Sequence, residues 1–161
     1  SGWNHGVLEF LLKRKVRYIG LDYSLAMVAL GKGKRAEDSF VAGDATTLPF
    51  AGESCDVLVL GTVLMHVLGY VDAIRESRRV TSRWCIFHTI PVLRRRGTTV
   101  LQKDAYGVPV VEIAFNEREL LDLFDTSGFQ LRKTFESIPH SYLDGIAGES
   151  VLARTYLCEA V

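Results

Sequence analysis

The chain has 161 residues, 48% of them hydrophobic and 24% charged, a balance that suits one folded domain and excludes a disordered segment. Lys plus Arg and Asp plus Glu both number 19, so the formal net charge is zero and neither nucleic acid nor an anionic membrane is expected as the main partner. No apolar run approaches the ~20 residues that span a bilayer.

Apolar and amphipathic runs alternate along the chain. Val7, Leu8, Leu11 and Leu12 recur at helical spacing and predict a helix over 4–14. A short strand follows at 16–21. Ser24 is a good N-cap for a helix over 24–30, which Gly31 should stop. Strands are predicted at 39–42 and at 55–60. The second reads Cys-Asp-Val-Leu-Val-Leu, nearly unbroken in apolar residues, as when helices cover both faces. A helix over 70–80 turns Val71 and Ile74 inward, and a strand follows at 83–90. Asn116 and Glu119 form a capping-box-like pair at the start of a helix that Gly128 ends. The last strands are 130–137 and 152–160.

This alternation predicts an α/β fold, a Rossmann-like doubly wound and mostly parallel sheet within a single domain. The segment 138–151 is too irregular for a crossover helix, so the last strand should return antiparallel. An insertion over about 92–115 holds two β-prone stretches around Tyr106-Gly107 and should form a hairpin-like lid. In such sheets ligands bind at the carboxyl ends of the parallel strands.

Cys55, Cys85 and Cys158 are odd in number, widely spaced and strand-borne. They read as buried free thiols in a reducing compartment, hence a cytoplasmic protein, rather than as disulfides. His5, His66, His88 and His140 lack metal-ligand spacing, and no zinc site is expected. Gly31-Lys32-Gly33-Lys34-Arg35 follows a helix rather than a strand and does not fit a phosphate loop.

The informative residues fall just after the strands. Asp22, in Gly-Leu-Asp-Tyr-Ser, can accept hydrogen bonds from both hydroxyls of a ribose, or can simply complement the start of a helix. Asp44, in Gly-Asp-Ala-Thr-Thr-Leu-Pro-Phe, can accept from an adenine amino group while the Ala45 amide meets a ring nitrogen. It can equally be turn chemistry. Together the two acids describe an adenosine site.

The acid closing one strand, the Asp-Ala and Leu-Pro-Phe after the next, and the segment CDVLVLGTVLMH resemble the class I S-adenosylmethionine-dependent methyltransferases, especially their broad small-molecule branch. The likeness is specific over 1–91, loose over 116–161 and absent over 92–115. It implies S-adenosyl-L-methionine as cofactor, a small-molecule acceptor, and cofactor contacts from Gly2, Asp22, Tyr23, Asp44, Ala45, Gly61 and Thr62. The family begins with a strand and a loop of the form G-x-G-x-G. Ser1-Gly2 resembles the tail of that loop, so the chain is expected to be a fragment lacking the first strand. His66 is a candidate base or a structural histidine, and His140 a second candidate base. Arg94-Arg95-Arg96 reads as an anion-attracting group or a solvated loop. A sulfonium is already activated, so methyl transfer does not require a catalytic dyad.

Two rivals stand beside this reading. A nicotinamide-dependent reductase or epimerase would use a Tyr-x-x-x-Lys pair, and no tyrosine here has a lysine four residues later. A non-catalytic methyltransferase-like binding module is the other.

Overall fold

The computed structural model describes residues 13, 15–105, 107–138 and 148–161. Gly2, His140 and nearly all of the expected helix over 4–14 lie outside the described residues. The chain divides into two compact units, Ser1–Pro49 and Phe50–Val161.

In the first unit, β1 (Ile19–Asp22) pairs in parallel with β2 (Ser39–Ala42), and α1 (Leu25–Lys34) joins them. The Ser24 hydroxyl accepts from the Met27 amide at 3.4 Å, the expected N-cap contact. The helix does not stop at Gly31. It continues to Lys34, and the Arg35 amide closes the end on the Gly31 carbonyl at 3.0 Å. Gly31 answers to packing instead of termination: a Cβ there would stand 2.6 Å from the Phe40 ring, and one at Gly20 2.7 Å from it. Phe40 fills the space that these two missing side chains leave. Gly20→Ala should therefore overpack this seam and cost about 1–3 kcal/mol, read as a lower urea midpoint at unchanged slope.

The second unit is organised around β4 (Thr81–Leu93). β3 (Cys55–Gly61) runs parallel to it and reaches it through α2 (Tyr70–Val80). β5 (Thr99–Ala105) and β6 (Val108–Asn116) form the expected antiparallel hairpin, and the end of β6 pairs in parallel with the end of β4. α3 (Glu117–Thr126) leads to β7 (Phe129–Ile138). β8 (Leu152–Ala160) then lies antiparallel to both β4 and β7, as the irregular sequence over 138–151 leads one to expect.

The helices cover the sheet through narrow apolar stripes. α2 buries Ala73, Ile74, Ser77 and Val80, while Val71 stays half-buried, and α3 buries Leu120 and Phe124. The Phe87 ring stacks on Phe124 at 4.2 Å and meets Phe129 edge-on at 5.5 Å. The Asn116 side chain accepts from the Glu119 amide at 3.1 Å, as predicted. Glu119 does not reach back to complete the box. Its carboxylate instead accepts from the Thr98 hydroxyl at 2.7 Å, and Thr98 in turn accepts from the Asn116 amide at 3.0 Å. The cap is thereby tied to the base of the hairpin.

All three cysteines are free. Cys85 and Cys158 face each other across the β4–β8 ladder, fully buried. Burial pushes the Cys158 thiol up to about 12, and burial followed by the neighbouring Cys158 pushes Cys85 well above its ordinary value. Neither is poised to react.

Candidate cofactor and acceptor site

In the first unit, the register of β1 and β2 sets Asp22 opposite Ala42, two residues before Asp44. The Gly43 amide donates to the Asp22 carbonyl at 3.1 Å, so the turn carrying Asp44 is hung on the end of β1. Both carboxylates thus stand at the carboxyl end of this parallel pair, where ligands of open α/β sheets bind. Asp22 is half-buried, and its Oδ1 accepts from the Ser24 amide at 2.9 Å. Asp44 is exposed, and its Oδ1 accepts from the amide and the hydroxyl of Thr46, each at 2.8 Å. The backbone bond from Thr46, then its hydroxyl bond, hold the Asp44 carboxyl below the usual range. Each acid therefore does the local structural work that the simpler reading assigned to it. It does so with one oxygen, and Oδ2 of each makes no hydrogen bond among the described residues.

Tyr23 is 83% exposed and follows Asp22 at the same edge. A cavity of about 390 Å³ reaches Asp22 from the α1 side of β1, walled by Leu21, Met27, Val28 and Phe40. Asp44 and Ala45 do not line it.

In the second unit, Gly61 ends β3 and Thr62 follows at φ +56°. A β-branched residue rarely adopts this left-handed conformation, and holding it there costs about 1–3 kcal/mol. The Thr62 amide donates to the His88 carbonyl at 3.2 Å, which extends the parallel ladder one step past β3. His66 closes a short 3₁₀ turn, Leu64–His66. Its ring is exposed, and its Nδ1 lies 2.7 Å from the Val111 carbonyl on the hairpin. A carbonyl only accepts, so Nδ1 carries the proton of the neutral ring and Nε2 keeps its lone pair. The bond thus fixes the tautomer of the neutral ring.

The Arg triplet has a different use from the one its charge suggested. The amides of Arg94, Arg95 and Arg96 donate to the Glu149 carboxylate at 2.6, 2.9 and 3.2 Å. Three successive amides make an anion-binding concavity, and here the chain supplies its own anion. Glu149 is 7% exposed. Burial pushes its carboxyl up, but the bonds from Arg95, Arg94 and Arg96 and the nearby Arg95 charge outweigh this and hold it below the ordinary value. A depressed folded-state value adds stability above the unfolded-state value, and that stability is lost as pH falls through the folded one. Glu149→Gln should unfold at lower urea near neutral pH, and the gap to the parent should narrow as both are titrated into acid.

No local signal in the sequence marked Glu149, which lies 55 residues from Arg94. His88, Thr89, Thr155 and Ser137 were also missed. They form a polar cluster beside Thr62, in which Thr155 Oγ1 lies 2.9 Å from His88 Nδ1 and 2.6 Å from Ser137 Oγ. The only hint was a histidine and a threonine inside the otherwise apolar Cys-Ile-Phe-His-Thr-Ile.

Residues 1–87 match the family model described as a methyltransferase domain. The chain belongs to this family, the class I S-adenosylmethionine-dependent methyltransferases. A demethylmenaquinone methyltransferase of Renibacterium salmoninarum is 43% identical over 63 residues, which are 39% of this chain and 27% of that relative. The chain thus matches about a quarter of the length of this curated relative. Among solved structures, an S-adenosylmethionine-dependent methyltransferase from Listeria monocytogenes, described as putative, superposes with a TM-score of 0.73 at 10% identity, over 99% of this chain and 88% of its own. The [4+2]-cyclase SpnF superposes with a TM-score of 0.71 at 17% identity, over 97% of this chain and 72% of its own. At these identities the structures establish the Rossmann-like fold of the methyltransferase domain and nothing finer.

Proposed function

We propose that the protein transfers a methyl group from S-adenosyl-L-methionine to a small-molecule acceptor, at oxygen or nitrogen. The observation that carries this reading is the pair of acids at the carboxyl end of β1 and β2, each with one oxygen held by the backbone and one open. Asp22 accepts from the ribose hydroxyls, with Tyr23 beside it. Asp44 accepts from the adenine amino group, and the Ala45 amide donates to the ring. By the family likeness, Gly2, Gly61 and Thr62 are further cofactor contacts. When bound, the cofactor supplies a methyl group already activated on a sulfonium. His66, through Nε2, and His140 are the candidate bases for the acceptor's proton. The demethylmenaquinone methyltransferase relative supports a small organic acceptor rather than nucleic acid. Three free thiols support a reducing compartment, the cytoplasm. Among the described residues no helix is long and apolar enough to cross a membrane.

A second reading draws on the likeness to a structure named as a cyclase: this fold also serves chemistry other than methyl transfer. Equilibrium dialysis with methyl-labelled S-adenosylmethionine tests the first. Retention of label that S-adenosylhomocysteine displaces and NADH does not supports it. Retention that NADH displaces instead would move the chain to the nicotinamide class.

A further inference from the structure

We propose that Thr89, His88, Thr155 and Ser137 form a hydrogen-bond chain that carries a proton away from the carboxyl end of β3 during methyl transfer. Its purpose rests on the methyl-transfer reading above, while its geometry stands apart from that reading.

The chain is built at a defect in the sheet. The β4–β8 register shifts between Phe87 and Ile90. Thr89 lies in this bulge at φ +55°, and its amide leaves the ladder to donate to Thr155 Oγ1 at 3.1 Å. Just past the end of the neighbouring strand β3, the Thr62 amide, itself in a residue at φ +56°, donates to the His88 carbonyl. Two β-branched residues in left-handed conformation thus stand on neighbouring segments, Thr89 within β4 and Thr62 just past β3. Strain of this kind gathers at functional sites.

The His88 ring is held at both nitrogens. Nδ1 lies 2.9 Å from Thr155 Oγ1 and Nε2 lies 3.1 Å from Thr89 Oγ1. Ser137 Oγ extends the row, 2.6 Å from Thr155 Oγ1. Each hydroxyl, like the neutral imidazole, both donates and accepts. Thr155 Oγ1 already accepts the Thr89 amide, so its proton and its remaining lone pair are divided between His88 and Ser137. Two arrangements then satisfy every group. In the ready one, Thr89 donates to Nε2, Nδ1–H donates to Thr155, and Thr155 donates to Ser137. In the spent one, every bond is reversed.

Passing from ready to spent moves exactly one proton through the row and leaves no charge behind. Methylation of a hydroxyl or amine acceptor forms the acceptor–methyl bond, breaks the sulfur–methyl bond and releases one proton. That proton enters at Thr89 Oγ1. The Thr89 proton passes to Nε2, the Nδ1 proton to Thr155, the Thr155 proton to Ser137, and the Ser137 proton to water. Thr89 is 8% exposed and Ser137 half-buried, so each end keeps some open surface. The row is the alternative to His66 as the destination of that one proton, because His66 accepts directly and has no row behind it. His88, Thr155 and Ser137 are on this account positioning and relay residues.

The ring nitrogens of His88 report the arrangement. Nitrogen-edited long-range NMR spectra of the full chain, with the ring neutral and the signal assigned by its loss in His88→Gln, should show both tautomers in exchange. Ser137→Ala leaves the Thr155 hydroxyl only Nδ1 to donate to, so the ratio should move about fivefold toward the Nε2–H form. A single tautomer in the parent, or a ratio that Ser137→Ala does not move, would overturn the proposal. The spectra need neither cofactor nor acceptor, so failure of cofactor binding and failure of the relay are read separately.

Discussion

Phe87→Ala should lower the unfolding free energy by about 3–5 kcal/mol, the largest stability loss expected from a single truncation here. Phe87 is fully buried in the middle of β4, the strand that pairs with β3, β6 and β8. Its ring stacks on Phe124 of α3 and meets Phe129 of β7 edge-on, and Phe124 meets Tyr156 of β8 at 5.7 Å. One truncation opens a cavity against α3 and two strands at once, and rigid secondary structure on every side limits how far the walls can relax into it. A domain of this size has roughly 5–15 kcal/mol in total, so the variant should be near the edge of folding at 37 °C. Urea unfolding followed by circular dichroism measures the loss. A change below about 1 kcal/mol would mean that the aromatic cluster is not the core of this unit.

Asp22→Ala should weaken S-adenosylhomocysteine binding at least about tenfold. The open carboxylate oxygen can accept one or two charge-assisted hydrogen bonds, each worth about 1.5–3 kcal/mol, and about 1.4 kcal/mol is a factor of ten in affinity. Because Oδ1 also accepts the Ser24 amide, Asp22→Ala removes a helix-start contact as well. Asp22→Asn separates the two effects. It keeps a side-chain oxygen for Ser24 and loses the charge, so its stability should stay near the parent while affinity still falls. Equal losses of stability and affinity in both variants would reduce Asp22 to a helix-start acid.

Local signals carried most of the architecture. The apolar run at β3, the Asn116 cap and the irregular sequence before β8 each predicted what is found, because each depends on neighbours within a few residues. The missed features are those decided at long range. Gly31 looks like a helix stop until Phe40 is seen against it. Glu119 looks like half of a capping box until the hairpin brings Thr98 to it. The relay joins His88 to Thr155 across 67 positions, and the left-handed Thr62 and Thr89 carry residue types that no turn rule would place there. For the two acids the sequence offered a local role and a ligand role as alternatives. The structure shows the local role on one oxygen of each carboxylate and no hydrogen bond to the other among the described residues, a division that periodicity and spacing have no means of expressing.

The central claim is that this chain holds the adenosine of S-adenosylmethionine through Asp22 and Asp44. Calorimetric titration of S-adenosylhomocysteine into the chain, shown to be folded by circular dichroism, tests it most directly. Saturable one-to-one binding that weakens at least about tenfold in Asp22→Ala is the predicted result. A folded chain that gives no binding heat at any accessible concentration, or one that binds equally well without the Asp22 carboxylate, would contradict it.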